Sequence, residues 1–86
     1  MRAKRLVLKT ASGLEVRLRD VESVGFLGGK VVAANHSALM VAWWYEGVAY
    51  GQLRVVDVGI VPLGPIWPGG LKLMERLAHN PKQNVM

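Results

Sequence analysis

Alternation of apolar and polar residues dominates the start of the chain. Leu6 and Leu8 alternate with Arg5, Val7 and Lys9, and Leu14, Val16 and Leu18 alternate with Glu15, Arg17 and Arg19. Period two marks a strand with one buried face, so Arg5 to Asp20 is predicted to form a β-hairpin. Matching the faces selects its turn. A two-residue loop sets Leu8 opposite Arg17. A three-residue loop, Ala11-Ser12-Gly13, sets Leu8 opposite Val16, Leu6 opposite Leu18 and Lys9 opposite Glu15. The second arrangement is expected, with Gly13 in the left-handed position of a bulged turn.

Further elements follow in order. Val21 to Phe26 reads as a short strand ending at Gly28-Gly29, and Lys30 to Ala34 as another that turns at Asn35-His36-Ser37. Ala38 to Glu46 is the longest strand candidate, Glu46-Gly47 a tight turn, and Val48 to Val56 the returning strand. Gly59-Ile60-Val61 reads as a last short strand. Pro62, Pro65 and Pro68 then predict an extended connector over 62–70, because proline fixes φ and restricts the residue before it. Leu71 to His79 is predicted as a helix with Leu71, Met74, Leu77 and Ala78 on one face and Lys72, Glu75, Arg76 and His79 on the other. Asn80-Pro81 stops it and leaves a tail over 80–86. The expected fold is mostly β: a small antiparallel barrel or sandwich of five to six strands with a short C-terminal helix. It forms a single domain over 1–86, with its β core at 5–61. Closure into a barrel is favoured because it removes sheet edges.

The strand at 38–46 breaks the half-buried pattern. Leu39, Val41, Trp43 and Tyr45 share one face, and Met40, Ala42 and Trp44 share the other. Both faces are apolar. A chain of 86 residues has little material to cover both, so one face is expected to be core and the other an interface. Aromatic residues dominate such interfaces.

Composition sharpens this picture. Hydrophobic residues make up 51% and charged residues 20%, below the usual charge of a soluble domain. The chain is too apolar to be disordered, and its zero cysteines exclude a disulfide scaffold and a cysteine-based zinc site. The net charge is +5. Seven basic groups against three acids lie in residues 1–30, whereas residues 31–70 hold only Arg54, Glu46 and Asp57. A middle so poor in charge is expected to be buried in part against another chain.

Candidate chemistry is thin. Gly25 to Lys30 has glycines near a lysine, but Val24 and Val31 stand where a phosphate loop needs glycine and Ser or Thr. His36 and His79 are far apart, and Ser37 beside His36 need not face it. Asp20 and Glu22 read as a polar strand end. No catalytic residue, metal ligand or cofactor is assigned, and no small-molecule substrate is expected. Pro62-Leu-Gly-Pro65 and Pro65-Ile-Trp-Pro68 read as a rigid spacer carrying the anchor Ile66-Trp67, docked on a neighbouring subunit. The basic N-terminus is followed by an apolar run too short for a signal peptide, and Val31 to Leu53 is too interrupted for a membrane span. An intracellular or virion-associated location is expected.

Leu27, Gly29, Val31, Asn35, Ala38, Leu39 and Met40 fall at the spacing of the first motif of the Sm/LSm-like small β-barrels, and Leu53 to Val58 falls on the second. About half the chain resembles that family. The resemblance implies a bent small barrel and ring-like oligomerisation. The chain departs from the pattern at Leu39, where the family carries an RNA-contacting asparagine, and at Val55, where it carries glycine. The helix is expected at the opposite end of the chain.

The function expected is a non-enzymatic structural or assembly subunit, a homo-oligomer or part of a larger complex of the kind found in viral capsid, cement or tail proteins. Its expected interface residues are Met40, Trp43, Trp44, Tyr45, Ile66, Trp67, Leu71 and Met74. The alternative is a small β-barrel that binds nucleic acid through Arg5, Lys9, Arg17 and Arg19.

Overall fold

The structure is a computed structural model in which residues 4–79 are described. Seven strands precede one helix: β1 (Lys4–Lys9), β2 (Glu15–Val21), β3 (Ser23–Leu27), β4 (Lys30–Ala34), β5 (Ala38–Tyr45), β6 (Val48–Val55), β7 (Gly59–Pro65) and α1 (Pro68–His79). The expected tail at 80–86 lies outside the described residues. Strands β1 and β2 form a two-stranded sheet, and β3 to β7 a five-stranded sheet in sequence order with β5 at its centre. All neighbours are antiparallel.

The first hairpin has the register that face matching predicts. Leu6 pairs with Leu18, Leu8 with Val16 and Lys9 with Glu15. Gly13 takes φ 92°, and the buried Thr10 hydroxyl accepts the Leu14 amide hydrogen at 3.1 Å. The turn at 46–47 is of the mirror-image type. Glu46 and Gly47 both have positive φ, 50° and 79°, the twist that suits a two-residue hairpin.

The two sheets stack as a sandwich rather than closing into a barrel. Leu6, Leu8, Val16 and Leu18 of the hairpin share one core with Val31, Ala33, Met40, Ala42 and Ala49 of the large sheet and with Leu71 and Met74 of α1. Hairpin and helix therefore lie side by side over one face of the five-stranded sheet. They touch at Gly70, where an added Cβ meets Leu8 Cδ2 at 3.2 Å. The layers are tied where β7 leads into α1. Thr10 bridges Ile66, and the amides of Ala11 and Trp67 donate to the carbonyls of Pro65 and Lys9 at 2.8 and 2.7 Å.

Two expectations about the chain after residue 61 are corrected. The connector over 62–70 is strand as far as Pro65 and helix from Pro68. Strand β7 lies at the sheet edge, where a missing amide hydrogen breaks no ladder, so Pro62 and Pro65 are tolerated. Pro68 suits the first helical turn, whose amides lack intrahelical partners. The strand count is seven rather than five to six, because every stretch with strand character, including the short last one, forms and pairs.

Candidate functional site

The two faces of β5 have different fates. Met40 and Ala42 are buried at 1% and 0% exposure under the hairpin and helix. Leu39, Val41, Trp43 and Tyr45 point to the other side. There they join Val32 and Ala34 of β4 and Val48 and Tyr50 of β6, as the register of the ladders requires. No element of the described residues lies over this outer face. Leu39, Val41, Trp43 and Tyr50 shield one another and are half-buried, while Tyr45 is 59% exposed.

Aromatic packing organises this face. Trp43 and Tyr50 are cross-strand partners, stacked with centroids 6.4 Å apart and an interplanar angle of 22°. Tyr45 meets Tyr50 edge-on at 6.2 Å. The Lys30 ammonium sits 5.2 Å from the Trp43 ring centroid, a distance at which the ring quadrupole attracts a cation. These contacts hold the three rings against one another. The charges on this face, Lys30 and Arg54, lie towards opposite ends of the sheet, near the 28–29 and 56–58 turns.

The expected interface residues divide into two groups. Met40, Ile66, Leu71 and Met74 are buried within the monomer, between 0% and 4% exposed, and are unavailable to a partner. Met40 faces the helix side of the sheet. Ile66 enters the core beside Gly51, where an added Cβ meets its Cδ1 at 3.0 Å. Leu71 and Met74 are the docking face of α1. The anchor Ile66 thus seats in its own chain.

Trp43, Trp44, Tyr45 and Trp67 are accessible, but they do not share one surface. Trp43 and Tyr45 lie on the outer face. Trp44 lies on the helix side and donates its indole hydrogen to Glu75 Oε2 at 3.3 Å. Trp67 lies over Gly69 and Gly70 at the start of α1; a Cβ on Gly69 meets its Cζ2 at 2.6 Å. Tyr50 belongs to the outer face and was absent from the expected set. The two-residue turn at Glu46-Gly47 already fixes Tyr50 opposite Trp43, so pairing through that turn finds it.

Arg5, Lys9, Arg17 and Arg19 all lie on the exposed side of the hairpin. Arg17 is partly neutralised, since its Nη2 and Nε reach Glu15 Oε1 at 2.6 and 2.7 Å.

An open groove of about 500 Å³ lies between the turn at 35–37 and the loop at 56–58. Its walls are tied. Asn35 Oδ1 accepts from the Ser37 and Ala38 amides at 2.9 and 2.7 Å, and Asn35 Nδ2 donates to the Arg19 carbonyl at 2.6 Å. The Val56 amide donates to the Ser37 carbonyl at 3.1 Å. His36 is exposed at the turn, whereas His79 packs against Phe26 at 4.9 Å. The Ser37 hydroxyl bonds Asn35, not His36. Among the described residues, no three His, Asp or Glu side chains converge as metal ligands, and no helix is long and apolar enough to cross a membrane.

No protein-family model matches the chain, and comparison with curated proteins and with solved structures returns no significant match.

Proposed function

We propose that the chain is a non-enzymatic assembly subunit that packs the outer face of its five-stranded sheet against a second copy of itself. One observation carries this reading: a sheet face of aromatic and aliphatic residues, interrupted at Gln52, has no covering layer among the described residues, while its reverse packs beneath the hairpin and helix. Large contiguous apolar patches on soluble proteins mark interaction sites.

Size and charge both favour a second copy as the occupant. Five strands about 4.8 Å apart and about seven residues long span a plane of roughly 550 Å². Side-chain relief raises the accessible area towards the ~800 Å² per partner of a stable interface. Val41 and Tyr50 lie between two cations placed diagonally, Lys30 over Trp43 and Arg54 opposite Leu39. A two-fold axis parallel to the strands sets the four cations of two copies at separate corners and brings apolar centre onto apolar centre. Two such faces pack as stacked sheets about 10 Å apart.

Sedimentation equilibrium over about 1–100 µM tests this. A mass that rises with concentration to a defined oligomer, on a peak free of nucleic acid by its 260/280 nm absorbance, is the expected result. A stable single chain throughout that range refutes the reading.

A further inference from the structure

The molecule has a second exterior, opposite the outer sheet face, and it is basic. The hairpin points Leu6, Leu8, Val16 and Leu18 into the core. Arg5, Lys9, Arg17 and Arg19 therefore point away from the sheet. Helix α1 docks through Gly70, Leu71 and Met74. At 100° per residue this directs Lys72 and Arg76 outwards, and both are exposed. Contact between Gly70 and Leu8, with the Trp67-to-Lys9 bond, sets helix and hairpin edge to edge. The fold thus gathers six cations from two segments more than fifty residues apart in sequence onto one side.

The acids of this layer offset them only in part. Glu15 is held by Arg17, and the half-buried Glu75 is turned to Trp44. Asp20 follows Arg19 in β2 with a positive φ of 53°, and Glu22 lies between β2 and β3. The open groove meets this layer at Asn35, whose side-chain amide donates to the Arg19 carbonyl.

We infer that this hairpin-and-helix exterior binds the phosphate backbone of nucleic acid without reading its sequence. Guanidinium groups suit phosphate oxygens through paired hydrogen bonds, and clustered cations gain affinity by releasing condensed counterions. A repeating anion matches cations dispersed over two elements better than a single small anion, which the exposed and flat arrangement does not enclose. Nucleic acid is favoured over an anionic membrane because the large apolar side chains exposed on this side, Val7, Leu14 and Trp67, are scattered rather than gathered into one face that could enter a bilayer. The inference does not depend on self-assembly, although an oligomer multiplies the contacts along one strand.

The test is fluorescence anisotropy of the full chain with a labelled 20-nucleotide single strand, a 20-base-pair duplex and, in parallel, vesicles containing anionic phospholipid. About six phosphate contacts predict roughly a 10³-fold loss of affinity between 50 and 200 mM salt. Arg5→Ala/Arg19→Ala and Lys72→Ala/Arg76→Ala should each weaken binding at low salt and reduce that loss to about 10²-fold. His36→Ala, at the exposed 35–37 turn, should change affinity less than twofold. Circular dichroism confirms that each variant is folded. Three results overturn the inference: no nucleic-acid binding at 50 mM salt with about 100 µM protein, binding insensitive to both double variants, or binding to vesicles alone.

Discussion

One strand, β5, contributes almost equally apolar residues to two surfaces that the fold treats differently. Met40 and Ala42 are sealed beneath the hairpin and helix, while Leu39, Val41 and Trp43 on the reverse are shielded by one another and by side chains of the same face such as Lys30 and Tyr50. Hydrophobicity therefore says that a residue favours burial, but not what buries it. The distinction comes from supply. Among the described residues, one hairpin and one helix cover the large sheet, and both dock on the same side. The other side is the one proposed to receive a second copy of the chain.

Substitutions on the two faces should separate these roles. The largest effect on stability is expected at the covered face. Met40→Ala leaves a cavity in a core with no slack and should lower unfolding free energy by about 2–5 kcal/mol, read by urea denaturation at a concentration fixed across variants. Leu39→Ala, its neighbour on the outer face, should cost the isolated chain much less. Equal losses for the two would erase the distinction between the faces.

A smaller loss is expected where β6 meets the covering layer. Gly51→Ala places a Cβ 3.0 Å from Ile66 Cδ1 and 3.4 Å from its Cγ1. Overpacking of this kind costs about 1–3 kcal/mol. A neutral result would mean that Ile66 has room to move and that the link between layers is loose. Smaller again is Trp44→Phe, which removes the indole donor to Glu75 but keeps most of the ring. About 0.5–1.5 kcal/mol is the expected loss, observed as a drop in Tm. An unchanged Tm would show that this bond does not fasten α1 to the sheet.

Much of the fold was legible because local rules and face matching agreed. The first hairpin is the clearest case: only a three-residue loop puts Leu6 and Leu8 opposite Leu18 and Val16, and that register is observed. Prolines misled the expectation for residues 62–65, since a rule against proline in strands holds for central strands and β7 is an edge. Which of the expected interface residues would be accessible was half legible. Periodicity places Trp43 and Trp44 on opposite faces, but it cannot say on which face the helix lands, and that choice put Met40, Leu71 and Met74 inside. Tyr50 was recoverable from the turn at 46–47. The union of hairpin and helix cations was not, because it depends on how elements distant in sequence pack.

The central claim is that the outer face is covered by another copy, and a paired substitution measured by light scattering tests it most directly. Val41→Arg puts a charge in the middle of the uncovered face. Val7→Arg makes the same chemical change on the hairpin exterior, where Val7 is already 38% exposed. At a concentration where the unsubstituted chain is oligomeric, Val41→Arg should have the mass of one folded chain, and Val7→Arg should keep the oligomer. An oligomer that survives Val41→Arg unchanged, or one that Val7→Arg dissolves, would contradict the account.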